Sequence, residues 1–215
     1  MHDFLYGYPN HHAKGFLSLN APLRAAQARK DKMTSFQAVQ SEEQITAVVR
    51  LAREIWQEHY LPIIGQEQVD YMLERFQSEK ALAEQLDGSY EYYLVVHDGQ
   101  NVGYVAVVPD KSEPALMISK LYVRKSERGH GLGKKTLRFV ENLGLQRGIT
   151  RIWLTVNKNN ARSIAWYSRM GFRNAGSIVQ DIGSGFVMDD FRLEKTIGRQ
   201  SPGGGSKQAV PQEYR

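Results

Sequence analysis

A glycine-rich turn into a helix is the feature that most constrains how this sequence can fold. A short apolar strand is predicted to end at Leu121, Tyr122 and Val123, and after a charged turn the segment 128–134 (RGHGLGK) opens a helix. Its alternate glycines leave successive backbone N–H groups unshielded at the positive end of the helix dipole. Such a loop can hold a phosphate chain through its amides alone. We therefore predict a pyrophosphate-binding loop.

Three phosphate-loop patterns can be compared with this segment. A Walker A loop is excluded because Arg128 replaces its first Gly and Lys135 its hydroxyl residue. A dinucleotide fingerprint fails because Lys134 occupies its third Gly position. The third pattern, Arg/Gln-x-x-Gly-x-Gly/Ala after a strand, is met by Arg128, Gly131 and Gly133. A plain tight turn, with Gly serving only positive φ angles, is the alternative interpretation.

A second motif lies on a later helix, one strand further along. Asn160, Ser163 and Tyr167 share one face of that helix, because Asn160 and Tyr167 are two turns apart, and Gly171-Phe172 follows. This motif resembles the segment Asn-x-x-(Ala/Ser)-x-x-x-Tyr-x-x-x-Gly-Phe of the GNAT superfamily of N-acetyltransferases. The third loop pattern resembles the coenzyme A pyrophosphate loop of the same superfamily. The resemblance covers about residues 34–197.

The predicted elements follow the order β-α-α-β-β-β-α-β-α-β-β. The first helix is indicated by a capping box of Ser41 with Gln44 and by apolar residues at helical spacing, and Asp98-Gly99 indicates a hairpin. Strands that follow each other without helices imply a mixed, mainly antiparallel sheet with helices on both faces. The resemblance implies an α/β (α+β) GNAT fold of about seven strands, with a splay between the fourth and fifth. The predicted strands are 35–40, 90–97, 101–108, 115–123, 150–156, 177–182 and 185–194.

The domain organisation is predicted from composition. Residues 1–33 form an N-terminal extension that is poorly ordered or partly helical, residues 34–197 the acetyltransferase domain, and residues 198–215 a flexible tail rich in Gly and Ser. No apolar run approaches the ~20 residues that span a bilayer, and the first residues lack the apolar core of a signal peptide. The chain has no cysteine, which excludes disulfides, thiolate ligands and a Cys nucleophile. We expect a cytoplasmic enzyme without a metal site, monomeric or homodimeric.

Charge is unevenly distributed along the chain. Residues 120–173 carry 13 Lys/Arg and 2 Asp/Glu, whereas residues 34–119 carry 5 and 14. The first segment suits a polyanion and the second something cationic, unless the two sets of charges mix on the folded surface. The whole excess of +5 comes from the tails, which argues against a nucleic-acid partner.

The resemblance implies that acetyl-CoA is the co-substrate and assigns residues to it. The backbone of the strand end, Leu121, Tyr122 and Val123, pairs with pantetheine like an added strand. The loop amides, from Arg128, Gly129, His130, Gly131, Leu132, Gly133 and Lys134, hold the pyrophosphate, with Arg124 and Lys125 adding positive charge. Asn160 and Ser163 bind the pantetheine or ribose-phosphate end, or else cap their helix.

Tyr167 is the candidate general acid for the departing thiolate, because the pKa of tyrosine, about 10, lies not far above that of a thiol. Its alternative role is to pack beneath the cofactor. The strand before the loop carries no carboxylate at residues 116–119. Ordered water or another side chain must therefore accept the proton of the amine. The candidates are Glu58, His59, Tyr60, Asp181, Asp189 and Asp190.

The leading functional hypothesis is direct acetyl transfer to a primary amine on a small cationic molecule such as a polyamine. The segments 152–154 and 165–167 and the end of the last strand are most similar to bacterial polyamine acetyltransferases. One alternative is acetylation of protein N-termini or lysines, which predicts an open groove. Another is a non-catalytic acyl-CoA sensor on the same fold. None of these hypotheses includes a membrane.

Overall fold

The computed structural model describes residues 33–198, which form one seven-stranded sheet with helices packed on it. Nearly all of the predicted extension and tail lies outside these residues. The strands are β1 (Thr34–Ala38), β2 (Glu91–His97), β3 (Gln100–Pro109), β4 (Ala115–Val123), β5 (Arg151–Asn157), β6 (Arg173–Gly183) and β7 (Phe186–Thr196). The helices are α1 (Glu42–His59), α2 (Leu61–Ile64), α3 (Gln66–Gln77), α4 (Glu79–Asp87), α5 (Leu132–Gln146) and α6 (Ala161–Arg169), with a 3₁₀ turn at Lys125–Glu127.

The sheet has the strand order β1-β2-β3-β4-β5-β7-β6. All neighbouring pairs are antiparallel except β4 and β5, which run parallel. The parallel pair is possible because α5 carries the chain back across the sheet between the two strands. The predicted mixed, mainly antiparallel sheet is confirmed.

The α1 helix shows how local sequence fixes an element. The Ser41 Oγ accepts a hydrogen bond from the Gln44 N–H at 3.3 Å, and the Gln44 Oε1 accepts one from the Ser41 N–H at 3.2 Å. This capping box satisfies amide groups that the helix itself leaves free. The apolar stripe behind it is buried against the sheet and includes Val48, Ala52 and Ile55.

Alternation along β3 divides the core between the two faces of the sheet. Tyr104 and Ala106 pack with α1, α3 and α4, whereas Val105 and Val107 pack with α5 and β5. Successive side chains of a strand point to opposite faces. Helices therefore cover both faces of the sheet, as the sequence predicted.

The parallel pair of strands separates after three residue pairs, the last of which is Met117 with Trp153. Two residues further on, β4 contains a bulge: Ile118 and Lys120 pair with the consecutive residues Val107 and Ala106, so Ser119 has no partner on β3. A bulge adds a residue to one strand, bends it and increases its twist. The splay predicted between the fourth and fifth strands is thus present, and it begins at this bulge.

The boundaries of several elements differ from the predicted ones. After α1, the structure has the one-turn helix α2, with Pro62 in its first turn, where the missing N–H costs little. The strands β6 and β7 are each 11 residues long and extend beyond their predicted limits. Within residues 33–198, no helix has the length and apolar character needed to cross a membrane.

Gly103 on β3 allows the close approach of β4 beside the splay. A Cβ atom at this position would clash with the carbonyl oxygen of Tyr122 and lie 3.1 Å from the Val123 Cα. We expect Gly103→Ala to lower the free energy of unfolding by about 1–3 kcal/mol, the usual cost of overpacking. Chemical denaturation measures the change. The control is Gln100→Ala at an exposed position of the same strand, and equal stability of the two variants would contradict the prediction.

Candidate active site

A cavity of about 960 Å³ opens where β4 and β5 part. Its walls come from the C-terminal halves of both strands, from the loop before α5, from α6, and from α1, α3 and the β6–β7 pair. The volume is at the upper end of the range that small-molecule and cofactor sites occupy, roughly 300–1,000 Å³. It is large enough to hold an extended cofactor arm together with a second small molecule.

The glycine loop forms one end of the cavity. Gly129 and Gly131 have φ angles of +90° and +75°, and a Cβ added to either would meet no protein atom. Gly131 is the N-cap of α5 and supplies no side chain to its first amides. The first N–H groups of a helix have no acceptor within the helix. The loop therefore presents free amide donors, together with the positive end of α5, to the cavity.

Basic side chains surround this loop. Arg128, Lys134 and Arg162 line the cavity. The Arg128 Nε donates to the Val123 carbonyl at 3.2 Å, and burial, followed by the nearby charge of Arg162, lowers its pKa. These groups fit an anion held by the loop amides. Arg162 occupies a variable position of the second motif, so the motif does not mark it, and only the fold brings it near Arg128.

One predicted loop residue turns away from the cavity. The His130 side chain is about half exposed, and its Nδ1 lies 3.6 Å from the Glu127 carboxylate. Eleven of the other predicted cofactor residues line the cavity, namely Leu121, Tyr122, Val123, Arg128, Gly129, Gly131, Leu132, Gly133, Lys134, Asn160 and Ser163. Arg124 and Lys125, which are predicted to add positive charge there, do not line it, and Arg124 instead pairs with Glu54 at 2.9 Å.

Asn160 joins the second motif to α1. Its Oδ1 accepts from the Ser163 N–H at 3.2 Å, which caps α6, and its Nδ2 donates to the His59 Nε2 at 3.2 Å. Helix capping, one of the two roles that the sequence leaves open for Asn160, is present in the structure. Burial, and then the charges of Arg128 and Arg162, lower the pKa of His59, in agreement with a neutral imidazole that accepts this hydrogen bond.

Tyr167 is buried on α6, on the same helix face as Asn160. Its ring packs edge-on against Trp166 and Phe172, with centroid distances of 4.8 Å and 5.3 Å. Burial raises its pKa, with a smaller contribution from Tyr60, so the phenol keeps its proton throughout the neutral range. Tyr167 also lines the cavity, where it is available as a proton donor.

Aromatic rings form the wall opposite α6. Trp56 and Tyr60 pack at a centroid distance of 4.3 Å, and the hydroxyl oxygens of Tyr60 and Tyr122 lie 3.5 Å apart. Asp190 lines the same cavity and is buried. Burial raises the pKa of Asp190, although a hydrogen bond from Thr155 partly opposes the shift. A carboxylate close to aromatic rings is an arrangement that binds ammonium groups.

The six candidate proton acceptors separate into two groups. His59, Tyr60 and Asp190 line the cavity, whereas the other three candidates do not. Asp189 pairs with Lys158, and Asp181 accepts from the Gly183 N–H in its own turn at 2.8 Å. The third, Glu58, is exposed on α1.

The expectation that the acidic segment 34–119 faces the acceptor is not supported by the cavity lining. No Asp or Glu of that segment lines the cavity, and the two lining carboxylates among the described residues are Glu127 and Asp190. The helices of this segment turn their apolar faces to the sheet and their carboxylates outward. Lys120, which no motif marks, lines the cavity on β4 and is buried.

Comparisons with known proteins agree with this geometry. The family model of the acetyltransferase (GNAT) family matches residues 49–172. An uncharacterised N-acetyltransferase of Lactobacillus delbrueckii subsp. lactis is 28% identical over 174 residues, which are 77% of this chain and 99% of that protein. The spermidine N(1)-acetyltransferase of Thermoplasma acidophilum is 25% identical over 155 residues, 68% of this chain and 91% of that protein.

A solved structure supports the fold. The crystal structure of the PaiA N-acetyltransferase from Thermoplasma acidophilum in complex with coenzyme A matches with a TM-score of 0.63 at 20% identity, covering 76% of this chain and 99% of that one. A glycine loop at a helix N-terminus, beside a cavity between parted strands, is an arrangement that suits an extended phosphorylated co-substrate. The chain belongs to the acetyltransferase (GNAT) family. It is an N-acetyltransferase, and its co-substrate is acetyl-CoA.

Proposed function

We propose that this chain transfers an acetyl group from acetyl-CoA directly to a primary amine of a small molecule. The amine nitrogen bonds to the acetyl carbon, the carbon–sulfur bond breaks, the nitrogen loses a proton and the sulfur gains one. The observation that carries the proposal is that one cavity joins the glycine loop to a buried carboxylate, Asp190, which lies near enough to Tyr60 to influence its pKa. Holding both reactants in one site makes the reaction effectively unimolecular.

The residues on the loop side fit coenzyme A. Among residues 33–198, no strand pairs with β4 on its β5 side beyond Met117. The backbone of Leu121 and the N–H of Val123, whose carbonyl accepts from Arg128, can therefore pair with the amide groups of pantetheine. The amides of residues 129–134 and the cations Arg128, Lys134 and Arg162 suit the pyrophosphate. Ser163, at the start of α6, lines the same cavity.

Gly131→Ala tests the loop. We expect it to raise the dissociation constant of coenzyme A at least about tenfold, because a methyl group would project into the loop that holds the phosphates. Gly148→Ala is a matched control: its φ angle is +70°, a Cβ there also meets no atom, and it follows the far end of α5. Both variants should lose about 1–2 kcal/mol of stability from the left-handed backbone. Isothermal titration calorimetry measures the affinity, and equal weakening in both variants would contradict the prediction.

On the acceptor side, Asp190 and the aromatic wall would hold the ammonium group. Burial disfavours the ammonium form, whereas the nearby carboxylate favours it, so a proton acceptor at this position is needed to release the neutral amine. Asp190 lines the cavity and can take that proton, directly or through water. His59 also lines the cavity, but the lone pair of its Nε2 accepts from the Asn160 Nδ2, so it can take the proton only if that hydrogen bond breaks. Tyr167 then supplies a proton to the sulfur on the opposite side of the reacting carbon.

Tyr167→Phe tests the proton donor. We expect kcat to fall by about 100-fold or more, as is typical when a general acid is removed, while the affinity for coenzyme A is largely kept because the ring still packs against Trp166 and Phe172. Tyr93→Phe is the control, because the Tyr93 hydroxyl donates to Glu91 at 2.8 Å and the residue does not line the cavity. An unchanged kcat in Tyr167→Phe would remove Tyr167 from the mechanism.

Two classes of small acceptor have support. A polyamine is favoured by the similarity to the spermidine N(1)-acetyltransferase and by the carboxylate and aromatic rings near Asp190. An amine that also carries an acidic group is favoured by Lys120, the second buried charge of the cavity. The two classes differ in the charge that the acceptor places away from its reacting nitrogen.

An assay of thiol release against polyamines, amino acids, aminoglycosides and lysine peptides tests the proposed function. We expect turnover with at least one class of small amine and little with peptides, because the acceptor enters a cavity lined by α1, α3 and β4. The Tyr167→Phe variant gives the background rate. Faster turnover of peptides would support a protein acetyltransferase instead, and silence across the panel with intact coenzyme A binding would support a non-catalytic sensor.

A further inference from the structure

Lys120 is a charged side chain in an unusual setting. It follows the β4 bulge directly, and the bulge reverses the alternation of the strand: Leu116 and Ile118 face the core around α5, whereas Lys120 and Tyr122 face the helices on the other side. Without the bulge at Ser119, the Lys120 side chain would point into the α5 core. Its relative exposure is 7%, and it lines the cavity.

The surroundings of Lys120 hold it in place but supply no negative charge. Its Nζ donates to the Gln85 Oε1 at 2.8 Å and lies 5.0 Å from the ring centroids of both Tyr90 and Tyr92. Gln85 is itself fixed, because its Nε2 donates to the Phe76 carbonyl at 3.1 Å and its Oε1 also accepts from the Tyr92 hydroxyl at 2.7 Å. This group of residues is rigid and aromatic, and it is open to the cavity on one side.

No carboxylate within residues 33–198 lies within ion-pair distance of Lys120. Lys120 is also the one Lys or Arg in the buried set of that range. A buried cation without an anion is costly, because it has lost its hydration without gaining a counter-charge. Cation–π contacts with two tyrosines offset only part of that cost. An anion that enters the cavity would therefore supply the counter-charge that the protonated side chain lacks.

We infer that Lys120 receives a carboxylate of the acceptor, so that the acceptor is an amine carrying an acidic group. This inference rests on the proposed function. Lys120 on β4 and Asp190 on β7 lie on opposite sides of the gap between β4 and β5, and such a molecule would place its ammonium at Asp190 and its acid at Lys120. A single negative charge matches the single cation better than a phosphate dianion does. A diamine would bring its second ammonium against Lys120, which like-charge repulsion opposes.

The protonation of Lys120 gives the inference a pH signature. Burial lowers its pKa to about 7, and a bound carboxylate favours the protonated form. The titratable groups that face Lys120 are the phenols of Tyr90 and Tyr92, and burial raises the pKa of Tyr92. The preference for an acidic acceptor over a neutral one should therefore be fully present below pH 7 and decline as the pH rises through about 7.

The experiment compares three linear primary amines of equal length that end in a carboxylate, a methyl group or a second amine, at several chain lengths. In the wild type, we expect kcat/KM for the carboxylate to exceed that for the methyl compound by about 10- to 100-fold, as a charge-assisted hydrogen bond provides. Lys120→Met, of similar length and without charge, should abolish the preference, and Lys120→Arg should keep part of it. Lys111→Met removes the same charge at an exposed turn and should leave the preference unchanged.

Ratios of kcat/KM between acceptors cancel the protonation of the amine itself, so the pH profile of the ratio reports on the tail of the acceptor. A preference for the diamine in the wild type, or a carboxylate preference that survives in Lys120→Met, would overturn the inference and leave the proposed function intact. If no amine turns over, the proposed function fails. Calorimetric binding of the same amines to the coenzyme A complex still tests whether Lys120 binds a carboxylate. Equal affinity for the carboxylate and methyl compounds would then overturn the inference.

Discussion

The parting of β4 from β5 after Met117 is the constraint on which the remainder of the site depends. Two parallel strands that stayed paired would satisfy each other's backbone groups and close the cavity. The bulge at Ser119 bends β4 away at that point, so that among residues 33–198 no strand pairs with Leu121 and Val123 on that side. Unpaired backbone groups within a protein are costly unless a partner meets them. An extended ligand with its own amide groups is such a partner.

Those features of the site that depend on local sequence could be predicted. The loop at Gly131 needs a positive φ angle and no side chain, and the Asn160–Tyr167 face follows from helical periodicity, so short patterns reveal both. The cap of α1 and the alternation of β3 are equally local. Lys120 and Arg162 could not be found in this way, because their importance comes from neighbours distant in sequence, Gln85 for the first and Arg128 for the second. The bulge that orients Lys120 has no signature in the residues around Ser119.

Charge counts along the sequence mislead for a related reason. The segment 34–119 is strongly acidic, yet its carboxylates lie on the outer faces of helices and at strand ends. There they pair with basic residues of the later segment: Glu54 contacts Arg124 at 2.9 Å, and Glu91 contacts Arg147 at 2.6 Å. Part of the charge of each segment is thus paired with the other segment on the surface. The electrostatics of the cavity instead depends on a few buried groups, chiefly Asp190 and Lys120, because a charge removed from water acts far more strongly than an exposed one.

The two halves of the cavity also differ in how they recognise a ligand. The half that suits coenzyme A uses backbone amides, glycine conformations and helix ends, which a short motif specifies, so membership of the family follows from the sequence. The other half is built from side chains of α1, α3, α4 and the β6–β7 pair, which carry no motif, so the fold alone leaves the acceptor open. In that half, replacing one buried side chain changes the charge that an acceptor meets without disturbing the strands. If Lys120 binds the acid of the acceptor as inferred, the residue at position 120 governs the choice of acceptor more directly than membership of the family does.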